Sequence, residues 1–116
     1  MRYTLAKEFI YIPKTKGNDK NSEPIKFKLK SLNCIERESL FETSIDENGK
    51  PIVNINRIKA FKLGVLEIEN LEVNGNTIKT ADEFLNLQDV LFYEMSLEVS
   101  IQIAQKRTIE EIKNSV

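Results

Sequence analysis

Strict alternation of apolar and polar side chains marks a strand near the start of the chain. Residues 25–30 alternate between an apolar residue and a lysine without exception, which predicts one buried and one solvated face. Residues 3–12 are rich in aromatic and β-branched side chains and predict a second strand, which Pro13 ends. The polar residues 14–24 predict a loop, so we expect the two strands to pair in antiparallel orientation.

Two short helices are predicted in the middle of the chain. Asn33 can cap a helix that runs from Cys34 to about Thr43, because its side chain can accept a hydrogen bond from a free backbone N–H. Residues 45–51 have the composition of a turn. A second helix is predicted from about Ile55 to Leu63, with Gly64 in the left-handed position just past its end.

A hairpin and a long helix are predicted in the second half. Residues 65–73 alternate in part, and Asn74-Gly75 then predicts a tight hairpin turn that needs positive φ at both positions. Thr80 and Glu83 have the spacing of a capping box, which marks a helix start. Apolar residues then recur every four positions, with further apolar residues beside them: Leu87, Leu91, Met95, Val99 and Ile103, widened by Val90, Leu97, Ile101 and Ala104.

Together these elements predict an α+β fold, with a small antiparallel sheet and hairpins, about four helices, and the long C-terminal helix packed on the sheet. A second capping pattern at Thr108–Glu111 predicts a short terminal helix. The length of 116 residues predicts a single domain, residues 1–116. No apolar run reaches the roughly 18 residues of a membrane span, and no signal-peptide pattern is present, so we expect a cytoplasmic protein.

The residue types argue against an enzyme and against a cofactor or metal. The chain has no histidine, which is the commonest general base and metal ligand. Its one cysteine, Cys34, cannot form an internal disulfide, and we expect it to be a small, partly buried side chain. The acidic residues 46–47 lack the spaced ligands of a calcium loop and predict an ordinary turn.

Two surfaces are candidates for binding. The first is a basic patch that is a candidate for binding nucleic acid: Lys14, Lys16, Lys26, Lys28 and Lys30. A solvated strand face explains the strand lysines equally well, and a net charge of −1 makes nucleic acid the weaker prediction. The second is one side of the long helix, whose apolar width exceeds what a small sheet needs, although the same width is also typical of the central core helix of a domain. We expect its exposed side, in contact with a partner, to include Leu91, Phe92, Met95 and Val99.

The layout of the chain resembles the tail assembly chaperones of long-tailed bacteriophages. The resemblance covers most of the chain and rests on these features: the early Pro13, a second strand ending at Leu32, a helix around Glu36-Arg37, the segment Gly64–Leu71, the turn Asn74–Asn76, the capped helix start Thr80–Leu85, and an ending with Thr108–Glu111 and Lys113–Ser115.

This resemblance implies a non-enzymatic protein that acts in the bacterial host cytoplasm. Such a chaperone binds the tape-measure protein, keeps it soluble, and helps tail-tube subunits assemble around it. We also expect self-association. Two alternatives stay open: a structural component of the virion, such as a neck, tail-completion or tail-tube protein, and a small regulatory module that binds nucleic acid through the basic patch.

Overall fold

The computed structural model describes residues 2–4 and 6–105. In the described chain the strands are β1 (Glu8–Tyr11), β2 (Lys26–Lys30), β3 (Phe41–Ile45), β4 (Pro51–Ile55), β5 (Val65–Glu69), β6 (Glu72–Val73) and β7 (Asn76–Thr77). The α-helices are α1 (Cys34–Glu38), α2 (Arg57–Gly64), α3 (Ala81–Leu85) and α4 (Val90–Ala104), and a short 3₁₀ segment occupies Thr15–Lys20. The predicted α+β fold is confirmed.

A three-stranded antiparallel sheet in the order β1-β2-β5 forms one layer of the body. Phe27 and Leu29 of β2 point to its inner face and are fully buried. Phe9 lies opposite Leu29, and Ile68 lies opposite Phe27 on the other neighbour. One face of all three strands is therefore buried. Strict alternation produces this in β1 and, as predicted, in β2, whereas the buried residues Val65 and Ile68 of β5 are three positions apart because the ladder has a register shift there.

Helices α2 and α4 cover this inner face and pack against each other. Four phenylalanines join the layers at the centre. The Phe84 ring lies 5.3 Å from both the Phe27 and Phe61 rings and 5.6 Å from the Phe92 ring. The prediction that the long helix packs on the sheet is thus confirmed.

Gly64 is the last residue of α2 and does not have the left-handed conformation, so that prediction is wrong. Its lack of a side chain serves a close approach between helices. A Cβ atom at this position would lie 2.5 Å from Cγ2 of Ile103 on α4, well inside van der Waals contact. Gly64 therefore lets α2 and α4 approach at this crossing.

Strands β3 and β4 form a separate hairpin that the sequence interpretation missed. Helix α1 ends at Glu38, not at Thr43, because residues 41–45 pair with residues 51–55 further along the chain. The turn between them agrees with the predicted one. Asn56 caps α2 by accepting from the Lys59 backbone N–H, so that helix begins two residues later than predicted.

The other short elements follow the sequence closely. Strands β6 and β7 pair around Asn74 and Gly75, whose φ angles of 52° and 80° confirm the predicted primed turn. The capping box at Thr80 and Glu83 is present at the start of α3, and Asp89 caps α4 after a short break. The predicted terminal helix at 108–114 lies outside the described residues.

Candidate functional site

The four residues predicted for partner contact do not form an exposed surface. Met95 is 1% exposed and Val99 is 0% exposed, so both belong to the core. Leu91 and Phe92 are partly buried, and the Phe92 ring packs edge-to-face on Phe84. The prediction that these residues lie on the exposed side of α4 is wrong for Met95 and Val99, because the four-residue repeat to which they belong faces the sheet and α2.

A different row of apolar residues follows the other side of α4. It consists of Val90, Tyr93, Leu97 and Ile101, which we call the outer stripe. At about 100° per residue these positions lie together, roughly opposite Met95 and Val99. Val90 and Tyr93 are exposed, and Leu97 and Ile101 are half-buried. Helix α4 is therefore apolar on two sides, of which the body covers one.

Three of the four residues of the outer stripe line a groove of about 1360 Å³ between α4 and the hairpin. Tyr93, Leu97 and Ile101 contribute from α4, and of the four predicted contact residues Phe92 lies here. Further apolar side chains come from the other elements around the groove: Val53 and Ile55 of β4, Ile58 of α2, Leu85 of α3, and Leu87. This groove, to which four elements contribute apolar side chains, is the candidate functional site.

Charged groups at the groove balance each other. Lys62 Nζ lies 3.9 Å from Asp82 Oδ1, and Glu42 accepts a hydrogen bond of 2.8 Å from Asn56 Nδ2. Arg57 adds one positive charge against Glu42. The groove therefore offers apolar contact without a net field that would select a polyanion.

The hairpin presents an apolar face of its own. In the register of β3 and β4, Thr43 lies opposite Val53, and alternate residues share a face. The odd-numbered residues make that face: Phe41, Thr43, Ile45, Pro51, Val53 and Ile55. Phe41, Ile45 and Val53 are exposed, whereas Ile55 packs against the core, so the face extends from the groove out along the hairpin.

The strand lysines of the predicted basic patch lie on the outer face of the three-stranded sheet, beside carboxylates. Lys28 Nζ is 3.2 Å from Glu8 Oε1, and Lys30 Nζ is 2.6 Å from Glu36 Oε2. The hydrogen bond from Lys30 lowers the pKa of Glu36. Lys26 lies opposite Glu69. Acidic residues on neighbouring elements thus compensate the lysine row, which is a solvated sheet face.

The loop lysines of the patch lie apart from this row, near α4. Lys16 Nζ is 4.0 Å from Glu94 Oε2, and the backbone N–H of Lys14 donates to Glu98 Oε2 at 2.8 Å. The structure therefore does not bring the five lysines together into one uncompensated patch.

Glu98 has a structural role that the sequence interpretation missed. Tyr11 Oη donates to its Oε2 at 2.5 Å, and the Thr15 backbone N–H and Oγ1 donate to its Oε1 at 3.0 and 2.7 Å. Burial alone would raise the pKa of Glu98, but these hydrogen bonds together lower it. Glu98 thus fastens the loop after β1 to α4. It is one of two glutamates in a mainly apolar helix, and the sequence alone does not distinguish it from Glu94.

The remaining predictions for the described residues concern Cys34, metal binding and a membrane span. Cys34 is exposed, contrary to expectation. In the part of the chain that the structure describes, no group of three or more cysteine, aspartate or glutamate residues is placed to hold a metal ion. No helix among residues 2–4 and 6–105 has the length and apolar character to cross a bilayer.

Comparison of the chain with protein-family models, curated proteins and solved structures finds no match.

Proposed function

We propose that this protein is a non-enzymatic tail assembly chaperone of a bacteriophage. It acts in the cytoplasm of the bacterial host, where its groove holds helical segments of the tape-measure protein and keeps that protein soluble while tail-tube subunits assemble. The observation that carries the proposal is the outer stripe of α4, a partly exposed apolar row at helical spacing, three of whose residues line a neutral groove. It adds to the resemblance in the layout of the chain.

The dimensions of the groove suit a helix. The outer stripe runs from Val90 to Ile101 with spacings of three and four residues, which is the spacing of a helix–helix seam. Tyr93, Leu97 and Ile101, which line the groove, span about 12 Å of α4 at about 1.5 Å per residue, which corresponds to about two turns of a partner helix.

The chemistry of the groove suits a long apolar partner. Because its charges balance, binding draws on apolar burial, at about 25 cal/mol per Å² of apolar surface. A tape-measure protein repeats apolar stripes over a great length. Several chaperone molecules on one such chain would cover it through many weak contacts.

Co-expression tests the proposal. The full chain is produced with the long coiled-coil protein encoded downstream of it, and the complex is recovered on this chain. We expect the coiled-coil protein to become soluble and to co-purify. Tyr93→Asp, at a position 61% exposed in the groove, should fold normally and lose the partner, because a carboxylate would be desolvated against an apolar helix.

Ile35→Asp is the matched control. Ile35 is 82% exposed on α1 and does not line the groove, so the same apolar-to-acid change should leave capture of the partner unaltered. A partner that stays insoluble with the wild-type chain would contradict the proposal. Equal capture by Tyr93→Asp and wild type would show that the groove is not the binding surface.

A structural virion component is the second candidate, favoured by the exposed hairpin, because rings and tubes are built through such uncovered strands. The two functions differ in where the protein ends up. A chaperone should be missing from purified particles, whereas a neck, tail-completion or tail-tube protein should be present there in a fixed copy number.

A further inference from the structure

The outer edge of strand β3 has backbone groups directed away from its partner strand. Asp46 N donates to Lys50 O at 2.9 Å, and Asn56 N donates to Leu40 O at 2.7 Å, at the two ends of the hairpin. Hydrogen-bonded pairs alternate along an antiparallel ladder, so even-numbered residues of β3 bond across to β4. Phe41, Thr43 and Ile45 therefore direct their N–H and C=O groups outward, and no described residue pairs with them.

This edge lacks lysine, proline and a bulge, three features that prevent an exposed strand from pairing with another strand. All five residues of strand β3 are exposed. On the other edge of the hairpin, Pro51 removes one N–H donor, and Val53 and Ile55 line the groove. A lone two-stranded hairpin is marginally stable in water. An unprotected, accessible β3 edge is therefore a site for a further strand.

We propose that the added strand is β3 of a second copy of this chain, antiparallel, with Thr43 on the two-fold axis. In that register Thr43 meets the partner's Thr43, Phe41 meets the partner's Ile45, and Glu42 meets the partner's Ser44. Threonine pairs and aromatic–β-branched pairs are favourable across strands, and the one charge of β3 does not meet its like. This self-complementarity is what an isologous contact requires and is the argument for a second copy over a foreign strand.

The dimer would bring two grooves to one surface. A two-fold axis between antiparallel strands is perpendicular to the sheet, so the apolar face of each hairpin lies on the same side of a four-stranded sheet. The dimer itself does not depend on the proposed function. If the grooves do bind tape-measure helices, the dimer would bind two segments at once and gain affinity through effective concentration.

Charge complementation at position 43 tests the proposal. The molar mass of the full chain is measured by sedimentation velocity and by light scattering across a concentration series, with folding checked by circular dichroism. Wild type should form a dimer. Thr43→Lys and Thr43→Glu should each be monomeric, because like charges would face each other on the axis. An equimolar mixture of the two should restore the dimer, since lysine would then face glutamate.

Val53→Lys is the control for the hairpin itself. Val53 lies directly opposite Thr43 within one copy, so the change disturbs the same rung but not the proposed axis. It should keep the dimer and, because Val53 lines the groove, weaken capture of the coiled-coil partner. Val53→Lys should thus lose capture and keep the dimer, whereas Thr43→Lys should lose the dimer and keep capture. Because the two variants affect different surfaces, failure of one proposal can be told apart from failure of the other.

Three outcomes would overturn the dimer. Wild type could stay monomeric at the highest concentration reached, which would leave the edge to a strand of another protein. The singly charged variants could remain dimeric, which would place the contact elsewhere. Folded Thr43→Lys and Thr43→Glu chains could fail to pair when mixed, which would exclude position 43 from the axis.

Discussion

The three-stranded sheet and the β3–β4 hairpin each have an apolar face but differ in what covers that face. Phe27 of β2 is 0% exposed beneath α2 and α4, whereas Phe41 of β3 is 42% exposed. Both side chains belong to an apolar strand face. The sheet obtains its covering layer from the chain itself, and the hairpin does not obtain one within the described residues. Exposed apolar patches are typical of interaction surfaces, so this face is a candidate for one.

Matched phenylalanine truncations should give the largest difference between the two regions. Phe27→Ala should destabilise the isolated chain by about 3–5 kcal/mol, because it leaves a cavity beside the rings of Phe61 and Phe84. Phe41→Ala should cost less than about 1 kcal/mol, since much of that ring is already in water. Urea denaturation of the two variants and wild type measures both effects.

Equal destabilisation by the two truncations would break the comparison, since it would mean that the hairpin face is buried in solution. If that burial comes from self-association, the cost of Phe41→Ala should grow with protein concentration. Repeating the denaturation at low and high concentration separates the two explanations.

The sheet and the hairpin also differ in how far the sequence predicts them. Residues 25–30 alternate without exception, so β2 follows from the pattern alone. Residues 41–45 follow a genuine helix start at Asn33, and only pairing with residues 51–55 makes them a strand. Local sequence favoured prolonging α1, and the tertiary pairing overrode it.

Helix α4 shows the same limit for the candidate site. Its apolar width was predictable, but a helix apolar on two sides does not reveal which side the body covers. Met95 and Val99 were assigned to the partner, yet they face the core. The sides are distinguished only by where α2 and the sheet lie, which periodicity cannot supply.

Gly64→Ala should have the next largest effect on stability, and it acts on the packing of α2 against α4. The added methyl would overlap Ile103, so we expect a loss of about 1–3 kcal/mol although alanine favours a helix. In a double-mutant cycle with Ile103→Ala, which removes the overlapping atoms, the loss should vanish or change sign. An additive cycle would show that the close helix approach is absent in solution.

The same substitution in the hairpin should act through the backbone alone. Gly49 has φ +78°, and a Cβ there meets nothing within 4 Å. Gly49→Ala should therefore cost about 1–2 kcal/mol, from the left-handed conformation, and no second-site change should rescue it. Rescue by truncating a neighbour would contradict this difference in mechanism.

Glu98→Gln should have a smaller effect that depends on pH. The folded state holds the pKa of Glu98 below its ordinary 4.5, so its contribution is complete above about pH 4.5 and is lost as pH falls through the folded value. The variant should lose about 1 kcal/mol near neutral pH and show a shallower decline in acid. Denaturation curves from about pH 6 to about pH 3 measure both.

Glu94→Gln is the matched control on the same helix. Among the described residues Glu94 forms an ion pair with Lys16, whose Nζ lies 4.0 Å away, and this exposed pair should contribute little to stability. If Glu98→Gln retained the full acid slope of wild type, the hydrogen bonds from Tyr11 and Thr15 would not hold this carboxylate in solution.

Lys28→Ala should have the smallest effect on stability. It tests the contrast between the charged outer face of the three-stranded sheet and the apolar face of the hairpin. Its ion pair with Glu8 is partly exposed, so the loss should be within about 0.5 kcal/mol and should fade at high salt.

Because carboxylates compensate Lys28 and Lys30, nucleic acid should bind weakly to wild type, with nearly the same salt dependence in the Lys28→Ala variant. Fluorescence anisotropy with a labelled duplex measures this. Tight binding whose salt slope falls on removal of Lys28 would instead restore the sheet face as a functional surface. The weak result would leave the apolar hairpin and groove, and not the charged sheet, as the place where partners are held.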